Sequence, residues 1–122
     1  MVLMPNKNRT VERSHNIIQY ILTVNEIGVR NALAEDPHCV NAVHEPSGMN
    51  AAMLCIYGRL PDFFDILIEQ SGHLLDFSYI DPDGDDLQSI GIGVLNRTLM
   101  DKVQHAYERF APQIINNWPE PY

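Results

Sequence analysis

Two short turns, Glu45-Pro46-Ser47-Gly48 and Asp81-Pro82-Asp83-Gly84, stand 36 residues apart, and the chain around them keeps the same interval. A shift of 36 carries Leu54 onto Ile90, Cys55 onto Gly91, Ile56 onto Ile92, Phe63 onto Leu99, Phe64 onto Met100, Asp65 onto Asp101 and Leu67 onto Val103. A shift back of 35 carries Ile68 onto Leu33, Phe64 onto Val29, His73 onto His38, Leu75 onto Val40 and Asp76 onto Asn41. Such an interval marks a chain built from one recurring supersecondary unit, since a single unit cannot bury its own apolar flank and needs a neighbour to do so.

Each unit reads as a pair of helices. Ala51–Tyr57 is a short stretch of small and apolar residues that Gly58 can end. Pro61 can open the next helix, because a proline at the first helical position forfeits no hydrogen bond. Asp62 then places negative charge at the positive end of the helix dipole. Phe63, Phe64, Ile66, Leu67 and Ile68 make that helix apolar nearly all round, as a helix between neighbours should be. Gly72 suits a left-handed stop. Upstream, residues 1–9 read as a mobile lead-in, and Thr10 to Val24 as an amphipathic helix with Val11, Ile17, Ile18, Ile21 and Leu22 on one side. Asn25 can cap a second helix, with Glu26 in its first turn and an apolar face of Ile27, Val29, Ala32 and Leu33. Pro37 ends it.

Downstream, Leu87 to Leu95 is expected to be a short helix in spite of Gly91 and Gly93. Each glycine costs about 1 kcal/mol of helix propensity, so a closely packed neighbour is the expected compensation. Thr98 can cap the last helix, striped by Leu99, Met100, Val103, Ala106, Tyr107 and Phe110, and Pro112 stops it. The helical domain thus spans residues 10–112. Residues 113–122 are expected to form an irregular tail in which Ile114, Ile115 and Trp118 tuck against the last helix. The fold class is all-α.

In residues 48–69 the chain resembles the ankyrin repeat family. G-M-N-A-A-M-L-C-I stands where that family has a Gly-x-Thr-Pro-Leu-His-x-Ala-Ala type run. Asp62–Ile68 stands where it has an acidic residue followed by aliphatic ones, and Asp81-Pro82-Asp83-Gly84 is similar to its Asp-x-x-Gly turn. The interval lies slightly above the family's 33 residues. Asn50 replaces the usual Thr, Ala51 the Pro and Met53 the His. Asp86-Leu87-Gln88-Ser89 keeps almost none of that tetrapeptide, and extra residues lie around Ser71–Phe77. The resemblance implies an ankyrin-like row of about three helix pairs with capping outer helices. It also implies partners meeting the turn tips and the open side of each first helix. On this chain that face holds Glu45, Pro46, Ser47, Met49, Met53, Tyr57, Pro82, Asp83 and Asp85. Met53 is equally suited to packing against the next unit, whereas Tyr57 is expected to be exposed. A plain helical bundle is the alternative architecture.

The net charge of −8 over 122 residues opposes bulk attraction to phosphate backbones, so no nucleic acid is expected; it favours solubility and permits a basic protein partner or a role as a nucleic-acid mimic, with neither implied by charge alone. No apolar run reaches membrane-spanning length, and the N-terminus lacks the apolar core of a secretory signal. Cys39 and Cys55 belong to no C-x-x-C pair and read as buried reduced thiols, which suits the cytoplasm, with delivery into another cell left open; a disulfide between the two is the alternative. His15, His38, His44, His73 and His105 fall at no metal spacing. Asp81, Asp83, Asp85 and Asp86 cluster around Gly84, but Ile92 stands where a calcium loop needs its bidentate Glu. Gly91–Leu95 lacks the third glycine of a dinucleotide fingerprint.

Without a nucleophile motif or a cofactor signature, the leading expectation is a non-catalytic protein-binding module, such as an inhibitor, immunity protein or effector. A helical domain that binds or processes a small molecule between helix pairs is the second expectation, resting on Cys55, His73 and the acidic cluster. Self-association through the apolar tail is the third.

Overall fold

The computed structural model describes residues 16–115. Val11, Trp118, the lead-in and the end of the tail lie outside them. Among the described residues the fold is all-α. A helix through residues 16–22 (α1) turns into α2, Glu26–Glu35, and a short 3-10 segment follows at Pro37–Asn41. Next come α3, Ala51–Tyr57, and α4, Pro61–Ser71, with a 3-10 turn at Gly72–Leu74. The last pair is α5, Leu87–Gly93, and α6, Arg97–Phe110, closed by a 3-10 turn at Pro112–Ile114.

The interval in the sequence is also an interval in the backbone. Val24, Arg59 and Leu95, spaced 35 and 36 apart, each take positive φ at the turn between paired helices, at 55°, 59° and 55°. After α1 and α3 this residue closes the helix end in the same way. Asn25 and Leu60 donate to the carbonyls of Tyr20 and Cys55 at 2.7 and 2.8 Å, and Val24 and Arg59 to those of Ile21 and Ile56 at 3.1 Å each. This is the Schellman pattern, with a bulky residue where glycine is usual. Gly48 and Gly84, again 36 apart, take φ of 78° and 88° in the two turn tips. Asn50 and Asp86, 36 apart, cap α3 and α5 by accepting from Met53 and Ser89 at 2.9 and 2.8 Å.

Neighbouring units pack like on like: α3 against α5, α2 against α4, and α4 against α6. Their connectors are tied at equivalent places as well. The Asn41 amide donates to the Leu74 carbonyl at 2.9 Å, and its oxygen accepts from the Asp76 backbone at 2.8 Å. Asp76 is the residue that the shift of 35 pairs with Asn41. Lys102 on α6 meets Asp65 on α4 at 2.8 Å, a partly exposed pair worth about 0–1 kcal/mol.

The core runs through all three units. Ile17, Ile21, Val29, Leu33, Phe64, Leu67, Leu99 and Val103 are each at most 2% exposed. Tyr107 is buried among them, its ring 5.0 Å from that of Phe77. Its hydroxyl donates to the Phe77 carbonyl at 3.3 Å and accepts from the Gln88 amide at 3.1 Å, so α6 holds the start of α5 and the connector before it.

Several expectations are corrected. Leu22 and Ile27 are exposed, because α1 ends at residue 22 and α2 turns Val29 and Leu33, not Ile27, to the core. Val24 lies in the turn, beyond the helix. Gly72 is right-handed, φ −59°, and starts the 3-10 turn. What it supplies is room, since a Cβ there would lie 2.5 Å from the Phe110 ring. Asn96, not Thr98, caps α6, accepting from Leu99 at 3.0 Å. Gly91 is packed against Val103, where a Cβ would lie 3.1 Å away, but Gly93 faces open space. Ile114 is exposed, whereas Ile115 packs on the core.

Candidate functional site

Both turn tips are braced by hydrogen bonds of their own. In the first, His44 and Met49 pair across the turn at 2.8 Å, and the Gly48 amide donates to the His44 carbonyl at 2.7 Å. The Ser47 hydroxyl bonds His44 Nδ1 at 2.8 Å and accepts from the Met49 amide at 3.2 Å. A single antiparallel bridge, Val43 to Asn50, closes the base. In the second tip the buried carboxylate of Asp81 accepts from the amides of Asp83 and Asp85, both at 2.9 Å. Asp81 is therefore spent on holding its own loop, while the side chain of Asp83 points free of it into solvent.

The tips are also fixed to each other. The Tyr79 hydroxyl donates to the Gly48 carbonyl at 2.5 Å. The Pro82 ring fills the space beside Gly48, so that a Cβ there would lie 2.1 Å from Pro82 Cδ. This contact, added to the positive φ, is why the first tip needs glycine.

Between the tips and the ends of the short helices lies an open hollow of about 490 Å³. It is lined by Glu45, Pro46, Ser47, Met49, Tyr57, Asp81, Pro82, Asp83, Asp85 and Ile90. Eight of the nine residues selected from the sequence are in that lining, and Met53 is the one left out. Met53 is fully buried, because α3 is covered on both sides and only its last residue emerges. That last residue is Tyr57, 63% exposed. No family model, curated protein or solved structure matches this chain.

Tyr57 also borders a second hollow, of about 430 Å³, formed with Ile21, Leu22, Val24, His44, Ser47, Met49, Leu54, Gly58 and Leu60. The sequence pattern missed this half. Leu22 is expected on the apolar side of a helix that runs to Val24, whereas Leu22 and Val24 are 49% and 60% exposed. The available signal was Asn25, whose cap on α2 requires a non-helical residue directly after Val24.

The residues that would support chemistry are elsewhere. Cys39 and Cys55 are both buried thiols, and no disulfide joins them. Burial pushes the Cys55 thiol far above its ordinary range, so it stays protonated. His73 is exposed on the 3-10 turn and lines neither hollow. Among the described residues no three His, Cys, Asp or Glu side chains are grouped to hold a metal. No described helix is long and apolar enough to cross a membrane.

Proposed function

We propose that this chain is a non-catalytic protein-interaction module, a short and divergent ankyrin-like row of three helix pairs that binds a partner protein through its turn tips and the emerging end of α3. One observation carries the reading. Residues drawn from two units 36 apart, chosen for their places in a repeat, meet around a single hollow. Their backbones are held by the braced tips, so the face is formed before any partner arrives, which lowers the ordering cost of association. Tyr57 and Met49 supply adaptable contact area. Glu45, Asp83 and Asp85 give the face a negative field that speeds encounter with a basic partner. The protonated, enclosed thiol of Cys55 favours this reading over a catalytic one.

The test is affinity capture from native lysate with the wild-type chain and with Tyr57→Ala and Asp83→Lys. Both positions are exposed, so both variants should keep the wild-type helical spectrum and melting point. The expected result is stoichiometric capture of a protein by the wild type that both variants lose. Turnover or tight metabolite binding without any protein partner would overturn the reading.

A further inference from the structure

The two hollows that meet at Tyr57 differ in chemistry. On the α1 side the lining side chains include Leu22, Val24, Leu54 and Leu60, with no carboxylate among them. On the other side stand Glu45, Asp83 and Asp85. Among the described residues none of these three carboxylates is in an ion pair. Arg59, which lines a neighbouring hollow with Tyr57 and Asp85, directs its guanidinium to the Val94 carbonyl at 3.1 Å. Each hollow is within the range of about 300–1,000 Å³ in which folded proteins seat ligands.

We propose, building on the protein-binding reading above, that the partner contributes a bipartite segment. An aliphatic or aromatic side chain fills the hollow between α1 and α3, and a neighbouring Lys or Arg reaches over Tyr57 to the carboxylates of the two tips. Charge complementarity decides the occupant. An apolar segment alone would leave the three carboxylates facing uncompensated neighbours as water is removed, and an acidic segment would be repelled. A cation flanking the anchor satisfies the tips and can also lie over the Tyr57 ring. The two parts are separable: the anchor governs dissociation, whereas the exposed charges govern encounter and its salt dependence.

The experiment is selection of a random twelve-residue peptide library, displayed on phage, against the full chain. Enriched peptides are then synthesised and titrated against variants. The expected result is enrichment of Lys or Arg within a few residues of Leu, Ile, Phe or Trp, with Asp and Glu depleted. Leu22→Ser should weaken such peptides about tenfold or more, the loss expected from an unfilled apolar site. Asp83→Lys with Asp85→Lys should weaken them comparably at low salt and less at high salt. Enriched peptides that are acidic, or insensitive to both variants, would overturn the bipartite segment while leaving lysate capture to decide the protein-binding reading. Two other occupants would overturn it as well. A dimer in sedimentation that Leu22→Ser dissociates would give the face to a second copy. Enrichment seen only after Lys7, Arg9 and Arg13 are changed to Ser would give it to the chain's own basic N-terminal segment.

Discussion

Gly48 and Gly84 offer a matched pair for testing whether successive units lean on one another. Both have positive φ, 78° and 88°. Alanine in that conformation costs about 1–2 kcal/mol, offset by about 0.4–1 kcal/mol from a stiffer unfolded chain. Gly84→Ala meets nothing within 4 Å, so its net cost should be about 1 kcal/mol. Gly48→Ala bears the same backbone cost and also drives its Cβ to 2.1 Å from Pro82 Cδ. The proline ring cannot rotate aside, and Tyr79 holds the tips together. Overpacking of this kind adds about 1–3 kcal/mol, for a total of about 2–4 kcal/mol. Equilibrium urea unfolding followed by far-ultraviolet circular dichroism measures both, compared by midpoint at a common slope. The double variant Gly48→Ala, Pro82→Ala should return the cost to near that of Gly84→Ala, since the coupling lies between those two residues. If the two alanine variants differ by less than about 0.5 kcal/mol, within the scatter allowed for independent sites, the tips do not press on each other and the packing of one unit on the next is misdescribed.

Three further outcomes follow from the helix ends and the buried titratable groups. Asn96→Ala should cost about 1 kcal/mol as a lost cap and Thr98→Ala only a few tenths, measured by the same unfolding curves; equal costs would restore Thr98 as the cap. Leu95→Gly should stabilise by about 0.5–1 kcal/mol, because Leu95 is 77% exposed with φ of 55° and glycine relieves the left-handed backbone; a loss would mean that its side chain has a hidden role. Stability should fall at alkaline pH in two steps. The Cys55 thiol is raised by burial in the native state, so its contribution is complete below the unfolded value of about 8.5 and declines as pH rises beyond it, by up to about 1.4 kcal/mol per pH unit. Tyr107 is pushed up to about 12, first by burial and then by the Asp86 charge, against the hydrogen bond from Gln88. It adds a second decline from about pH 10. Urea midpoints for wild type and Cys55→Ala across pH 7–11 check this, and an unchanged early limb in the variant would refute the thiol's part.

What was legible in the sequence was legible because it repeats. Asn25, Pro61, Gly48 and Gly84 are local signals whose chemistry admits few uses, and Phe64, Leu67 and Leu99 fall at matching places in successive units. The all-α class and the pairing of helices follow from these. The failures share one cause. Asn96 and Thr98 are both competent caps, and only the packing of α6 selects between them. Gly72 carried a conformational reading, but its use is set by Phe110, far along the chain. Val24, Arg59 and Leu95 take a backbone that their side chains disfavour. No composition rule would place them there, since the turn is imposed by the helices on either side.

The same logic explains why the site was partly readable and partly not. A short helix flanked by others has little freedom in what it shows. Packing by α4 and α5, with the connectors beneath, leaves Met53, Cys55 and Ile56 without solvent. Tyr57 and the loop before Asn50 face outward, so the face that the resemblance to the ankyrin repeat family implies, with the acidic tips and Tyr57 on it, is open in the structure except for Met53. The apolar half depends on where α1 stops. Val24 lines the hollow beside Tyr57 from the turn after α1, and a helix running on to Val24 would leave no turn there. The stop at residue 22, enforced by the Asn25 amide bonding to the Tyr20 carbonyl, opens the hollow. That bond is backbone to backbone and is kept by alanine. Asn25→Ala therefore removes only the side-chain cap on the Gly28 amide, at a cost of about 1 kcal/mol, and in backbone amide spectra it should perturb α2 more than residues 21–24 and 57. An equal or larger perturbation at residues 21–24 and 57 would show that the side-chain cap shapes the face as well.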